Sequence, residues 1–171
     1  PEFYFQCLPL TKCLHLSVKR LSVGYDYPIL SHLDFSVTGG QKVVVTGFNG
    51  IGKSTLLLQV CRHLAGAGQR VLYISGEESL KQIKMRANRI GPVTGELKFL
   101  CETSLEHIER AIDAENPQIA VIDSIQTMYR EEISSAPGSV SQVRESTGIL
   151  MQIAKSRGIA IFVVGHVTKE G

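Results

Sequence analysis

Residues 47–54, GFNGIGKS, fit the pattern G-x-x-x-x-G-K-[ST] in full, directly after the apolar run KVVVT and directly before a helical stretch. A strand, a glycine-rich turn and a helix in that order commit the chain to an α/β fold. Glycines let the turn aim its backbone N–H groups at phosphate oxygens, and the helix that follows presents its positive end. Lys53 adds a cation near the β and γ phosphates, and the Ser54 hydroxyl suits Mg²⁺, whose other ligands are phosphate oxygens and water. The expected nucleotide-binding set is Gly47, Asn49, Gly50, Ile51, Gly52, Lys53, Ser54 and Thr55, with ATP and Mg²⁺ as the ligands. The plainer alternative is a glycine-rich turn with an incidental lysine.

From Lys42 onward, apolar runs alternate with helical stretches: KVVVTG, RVLYISG, LKFLC, QIAVIDS and IAIFVVG are separated by segments with helical periodicity. Five such runs predict a parallel sheet covered on both faces, with the ligand crevice along the edge of strand C-termini. Gly91-Pro92 and Asn116-Pro117 are predicted helix ends. Before Lys42, LHLSVKRLSV and LDFSV alternate apolar and polar residues around the turn-like GYDYP, which predicts a small antiparallel β-unit. Residues 1–13 lack a sustained period and read as a frayed or appended extension, leaving 14–171 as one domain. The polar stretch 131–141 is the longest interruption and reads as a mobile loop.

With 171 residues, 43% hydrophobic and 20% charged, the composition excludes disorder and collagen-like repeats. The net charge of +2 leaves nucleic acid undecided, because a binding stripe depends on where charges sit. No apolar run reaches a membrane span and no secretory leader is evident, so a cytoplasmic location is expected. Cys7, Cys13, Cys61 and Cys101 show no CxxC spacing and read as free thiols.

Strand ends supply the remaining candidates. Asp123 follows Ile119-Ala120-Val121-Ile122 and is the expected magnesium carboxylate; a helix N-cap before Ser124 is the alternative. Glu77 and Glu78 follow VLYIS, where one of them could orient or deprotonate the attacking water, or both could be first-turn helix residues. His166 follows IFVVG as a candidate γ-phosphate sensor or a structural histidine. Tyr25 and Tyr27 offer an aromatic face to a base, or pack against Pro28. Lys81, Lys84, Arg86 and Arg89 spread over a helix face that either contacts a nucleic-acid backbone or is simply solvated.

Two resemblances share these motifs. Residues 21–57, LSVGYDYPILSHLDFSVTGGQKVVVTGFNGIGKSTLL, resemble the N-terminal part of ABC-type ATPases, nearest the ABC-F group, which implies Tyr25 as the adenine-stacking aromatic. Residues 50–171 resemble the RadA/Sms family of RecA-like DNA-repair ATPases through VLYISGEES, QIKMRANRIG, VIDSIQTMY, SAPGSVSQVRE and VVGHVTKEG. The pair implies a chimera, engineered or recombined, folded as a P-loop NTPase three-layer sandwich with a mainly parallel RecA-like sheet and a small N-terminal antiparallel β-unit. The RadA-like part implies Glu77 as the water-activating base, with Glu78 second. The chain carries no LSGGQ signature, no ABC glutamine loop and no glutamate directly after Asp123. It also carries no zinc-binding Cys motif, KNRFG motif or Lon-protease-like domain of the RadA family. Both families complete their sites with groups from a neighbouring subunit, so the resemblance implies slow or absent hydrolysis. The other outcomes in view are a nucleic-acid-binding module and an inactive folding scaffold.

Overall fold

A computed structural model describes residues 15–24, 28–38, 52–132 and 136–166. The described elements are β1 (His15–Gly24), β2 (Pro28–Thr38), α1 (Lys53–Gly66), β3 (Val71–Ser75), α2 (Leu80–Ile90), β4 (Leu97–Cys101), α3 (Leu105–Glu115), β5 (Ile119–Asp123), a 3₁₀ turn (Ile125–Thr127), α4 (Val140–Arg157) and β6 (Ala160–Val163). Strands β4-β3-β5-β6 form a parallel sheet in that order, and β1 and β2 form a separate antiparallel pair. The expected α/β architecture is therefore present. Residues 1–13, the expected first strand of the run KVVVTG, the tyrosines Tyr25 and Tyr27, and residues 133–135 of the expected loop lie outside the described residues.

Alternation along β3 and β5 divides the core into two layers. Val71, Tyr73, Ile119 and Val121 join a cluster with Leu57, Leu58, Cys61 and Leu64 of α1 and with Ile83 and Ala87 of α2. Leu72, Ile74 and Ile122 face the other way, toward Ile108 and Ile112 of α3 and Leu150 and Ile153 of α4. Burial on both faces explains why these strands read as continuous apolar runs. Val18 and Leu21 of β1 join the α1 side, which ties the hairpin to the first helix.

Local chemistry sets the helix boundaries. Ser79 caps α2 in a capping box, accepting from the Gln82 N–H while Gln82 reaches back to the Ser79 N–H. Glu77 and Glu78 therefore precede the cap and are not first-turn residues. Asn116 ends α3 with φ 44°, and Gly158 ends α4 with φ 64°. Strand β2 starts at Pro28, well before LDFSV, because register shifts near Leu21 and Val23 interrupt the alternation; Arg20 and His32 take positive φ there. Among the described residues no helix is long and apolar enough to cross a membrane.

The β4–α3 turn carries a pH-sensitive anchor. Glu102 accepts from the Ser104 N–H at 3.0 Å and the Thr103 N–H at 2.8 Å, and its other oxygen meets His107 Nδ1 at 2.9 Å. Those bonds, the one from Ser104 foremost, hold its carboxyl below the usual 4.5. The unfolded chain then takes up this proton first, so Glu102 stabilises the fold above about pH 4.5, and that contribution fades as pH falls through the lower folded value. Glu102→Gln should flatten this part of the acid limb of stability against pH. Denaturant melts between pH 3 and 7 will check it, and an unchanged slope contradicts the anchor.

Candidate functional site

Because the sheet is parallel, every described strand of it delivers its C-terminal end to one edge. Ser75 of β3 lies opposite Asp123 of β5, and the loops after β3, β5 and β6 meet there. Backbone bonds fix the meeting: the Gly76 N–H donates to the Asp123 carbonyl at 2.9 Å, and the Ile125 N–H to the Val164 carbonyl at 2.9 Å. The peptide between Asp123 and Ser124 is cis. Helix α1 starts after Gly52, whose φ of 88° is a conformation glycine tolerates best. Lys53 and Thr55 are buried in its first turn and Ser54 is half-buried. Gly47, Asn49, Gly50, Ile51 and Tyr25 lie outside the described residues.

Asp123 is only 5% exposed and sits on the sheet face that α1 and α2 cover. Burial pushes the thiol of Cys61, midway along α1, far up, and the Asp123 charge adds to that shift. Tyr73, fully buried in β3, donates its hydroxyl proton to Asp123 Oδ2. Arg86 Nη2 in turn donates to the Tyr73 hydroxyl at 3.2 Å, ion-pairs with Glu78 and stands 3.9 Å from Asp123 Oδ2. Asp123 is thus no helix cap; the 3₁₀ turn has Ser124 in that position.

This network corrects one expectation. Arg86 does not belong to a solvated basic face with Lys81, Lys84 and Arg89: its side chain is 13% exposed and turned onto the strand edge, while the other three are exposed. Its guanidinium centre lies 6.0 Å from the Tyr73 ring centroid, a cation–π geometry. Burial works against the Arg86 charge, yet Tyr73, Glu78 and Asp123 outweigh it and hold the guanidinium above its usual range. Burial raises the Glu78 carboxyl, with Asp123 and Glu77 adding to the shift and Arg86 opposing it.

The two glutamates have different surroundings. Glu77 is 46% exposed, and its Oε1 receives the Ser124 hydroxyl at 2.6 Å and meets His166 Nε2 at 3.0 Å. Gln126 donates to the His166 carbonyl at 3.0 Å, and Ser75 Oγ accepts from the Glu77 and Glu78 N–H groups at 3.4 and 3.1 Å. Glu77, Ser124 and His166 are brought together from three strand ends, whereas Glu78 is engaged with Arg86. Tyr73 and Ser124 escaped the sequence reading. The available signal for Tyr73 was a tyrosine inside the apolar run VLYIS, since a buried hydroxyl needs a polar partner.

No group of three or more His, Cys, Asp or Glu able to cage a metal occurs among the described residues. Mg²⁺ bound through one hydroxyl, phosphate oxygens and water requires none, and a buried carboxylate at the end of a strand whose face is covered by the helix that carries Ser54 fits that mode of binding.

Comparison with known proteins adds relatives to this geometry. A family model described as an AAA domain matches residues 36–171. A DNA repair protein RadA of Bacillus subtilis is 59% identical over 135 residues, covering 79% of this chain and 30% of that protein. The Listeria monocytogenes RadA is 51% identical over 164 residues, covering 95% of this chain and 35% of its own length. The Helicobacter pylori RadA of strain 26695 is 55% identical over 145 residues, covering 82% and 32%. The chain spans about a third of the length of these relatives.

Gly76 is the point of closest approach at the edge. A methyl group there would overlap the Thr127 hydroxyl and lie 2.7 Å from Thr127 Cβ and 3.0 Å from Thr103 Cγ2. Gly76→Ala should therefore destabilise the chain by about 1–3 kcal/mol, the usual cost of overpacking. Thr127→Ala should recover only part of that loss, because Cβ remains. Denaturant melts of the single and double variants will measure both, and a Gly76→Ala variant as stable as wild type contradicts the packing.

Proposed function

The chain belongs to the AAA domain family, and on that premise we propose that it binds ATP with Mg²⁺ at the edge formed by the ends of β3, β5 and β6 and the start of α1, and hydrolyses ATP slowly. The observation that carries the reading is Asp123, a buried carboxylate at the end of a strand whose face is covered by the helix that opens with Gly52-Lys53-Ser54-Thr55. In this reading Gly47, Asn49, Gly50, Ile51, Gly52 and Thr55 belong to the phosphate loop, Lys53 pairs with the β and γ phosphates, and Ser54 and Asp123 hold the metal and its water. Bound Mg²⁺ would neutralise charge on the β and γ phosphates. Glu77 orients the attacking water and accepts its proton, while Ser124 and His166 hold its Oε1. Glu78 acts as the counter-ion of Arg86 and not as a second base. In this reading His166 senses the γ-phosphate, a role supported by its contact with Glu77 Oε1.

The residues 15–38 hairpin lies almost wholly before the AAA match, which begins at residue 36. That boundary supports reading it as the ABC-type part of a chimera within one domain over 14–171, with Tyr25 stacking on adenine. The Listeria alignment, at 95% of the chain, is the observation on the other side. The thiols of Cys61 and Cys101 are unpaired, which suits the reducing cytoplasm.

A second reading, binding of DNA, draws on the relatives' description as DNA repair proteins and on exposed Lys81, Lys84 and Arg89 of α2. If it holds, Lys81→Ala and Lys84→Ala should each lower the slope of log affinity against log salt by about 1, measured by fluorescence anisotropy on labelled DNA. No binding at low salt removes this reading.

Hydrolysis tests the first. The wild-type kcat is expected below about 1 s⁻¹, the low end of enzyme values. Glu77→Gln should cut the rate by about 10²–10⁴-fold, the usual contribution of a general base, and leave nucleotide binding intact. Phosphate release and calorimetric titration read the two separately. Full activity in Glu77→Gln overturns the assignment of the base.

A further inference from the structure

Among the described residues, the side-chain contacts that reach the Asp123 carboxylate fall on Oδ2. The Tyr73 hydroxyl gives its proton to that oxygen and takes a hydrogen bond from Arg86 Nη2 at 3.2 Å. Arg86 is itself held by Glu78 from the loop after β3, and the edge of Phe99 meets the Tyr73 ring at a centroid distance of 6.1 Å. Arg86 Nη2 therefore donates outward to Glu78 and inward to the Tyr73 hydroxyl, and Tyr73 passes the second of these on to Asp123 with its own proton. No hydrogen bond among the described residues reaches Asp123 Oδ1. Arg86 leaves its Nε buried without a hydrogen bond, so its placement follows from what Nη2 reaches.

We propose that Tyr73 and Arg86 are positioning residues for Asp123, pinning Oδ2 so that Oδ1 is the oxygen offered to magnesium and its water. This rests on the nucleotide reading above and adds to it two residues that touch neither nucleotide nor metal. Removing a group that orients a metal-binding carboxylate costs about 10–100-fold in metal affinity, whereas the phosphate loop's own grip on nucleotide does not pass through Tyr73. The relay therefore separates magnesium dependence from nucleotide affinity, which a general loss of structure would not do.

Tyr73→Phe keeps the ring and removes the hydroxyl. The melting temperature of the full chain is followed as MgCl₂ is titrated at fixed ADP, and as ADP is titrated in EDTA. Tyr73→Phe should raise the magnesium midpoint about 10-fold, the low end of the range for lost ligand orientation, with the ADP midpoint in EDTA unchanged. Should Tyr73→Phe lack a cooperative melt, Arg86→Gln, one step further from Asp123, should shift the magnesium midpoint the same way. An unchanged magnesium midpoint, or an equal shift in both midpoints, overturns the relay while a magnesium response in wild type keeps the nucleotide reading. A wild-type chain with no magnesium response overturns both.

Discussion

A carboxylate that is 5% exposed at the end of a buried strand is costly to the fold unless donors or cations compensate for lost water. Asp123 meets that requirement with a tyrosine hydroxyl from β3 and an arginine from α2, and their placement draws the two elements together. The arginine then requires an acid of its own, and Glu78 provides it. One buried charge therefore dictates the identity of three further side chains along the same edge. The arrangement stabilises the fold only as a set: a buried pair that loses one partner leaves an uncompensated charge worth several kcal/mol.

The parallel sheet makes such an edge available. Its two faces are filled by apolar side chains from α1 and α2 on one side and α3 and α4 on the other, leaving polar groups to collect where the strands stop. Ser75, Glu77, Asp123, Ser124 and His166 come from three strand ends that are far apart in sequence and adjacent in register. Short backbone bonds between the loops, and the tight fit at Gly76, hold this polar rim in one geometry. Exposed Glu77 and half-buried Glu78 thereby acquire separate partners although they are neighbours in sequence.

Much of this was legible in the chain. The helical stretches and the strands VLYIS, LKFLC and IAVID coincide with α1 to α4 and β3 to β5; burial on both faces leaves VLYIS and IAVID as unambiguous apolar runs, while β4, at the end of the strand order, keeps an exposed Lys98. The ends at Ser79, Asn116 and Gly158 carry their own chemical signals. The hairpin was less legible: bulges near Arg20 and His32 break the period of two that identifies a strand. Arg86 was misread because helical spacing shows which face a residue occupies but not that a long side chain can curl toward a buried acid. The partners of Ser124 and Tyr73 could not be read for a similar reason, since they lie 47 and 50 residues away.

The central claim is that this edge is a working phosphate and magnesium site. A titration of the wild-type chain and Lys53→Ala with ATP and Mg²⁺, following melting temperature, tests it most directly, since a ligand bound only by the folded state raises stability by RT ln(1 + [L]/Kd). The account predicts an upward shift in the wild type that grows with ATP and is abolished in Lys53→Ala. No shift at millimolar ATP, or an equal shift in both proteins, would contradict it.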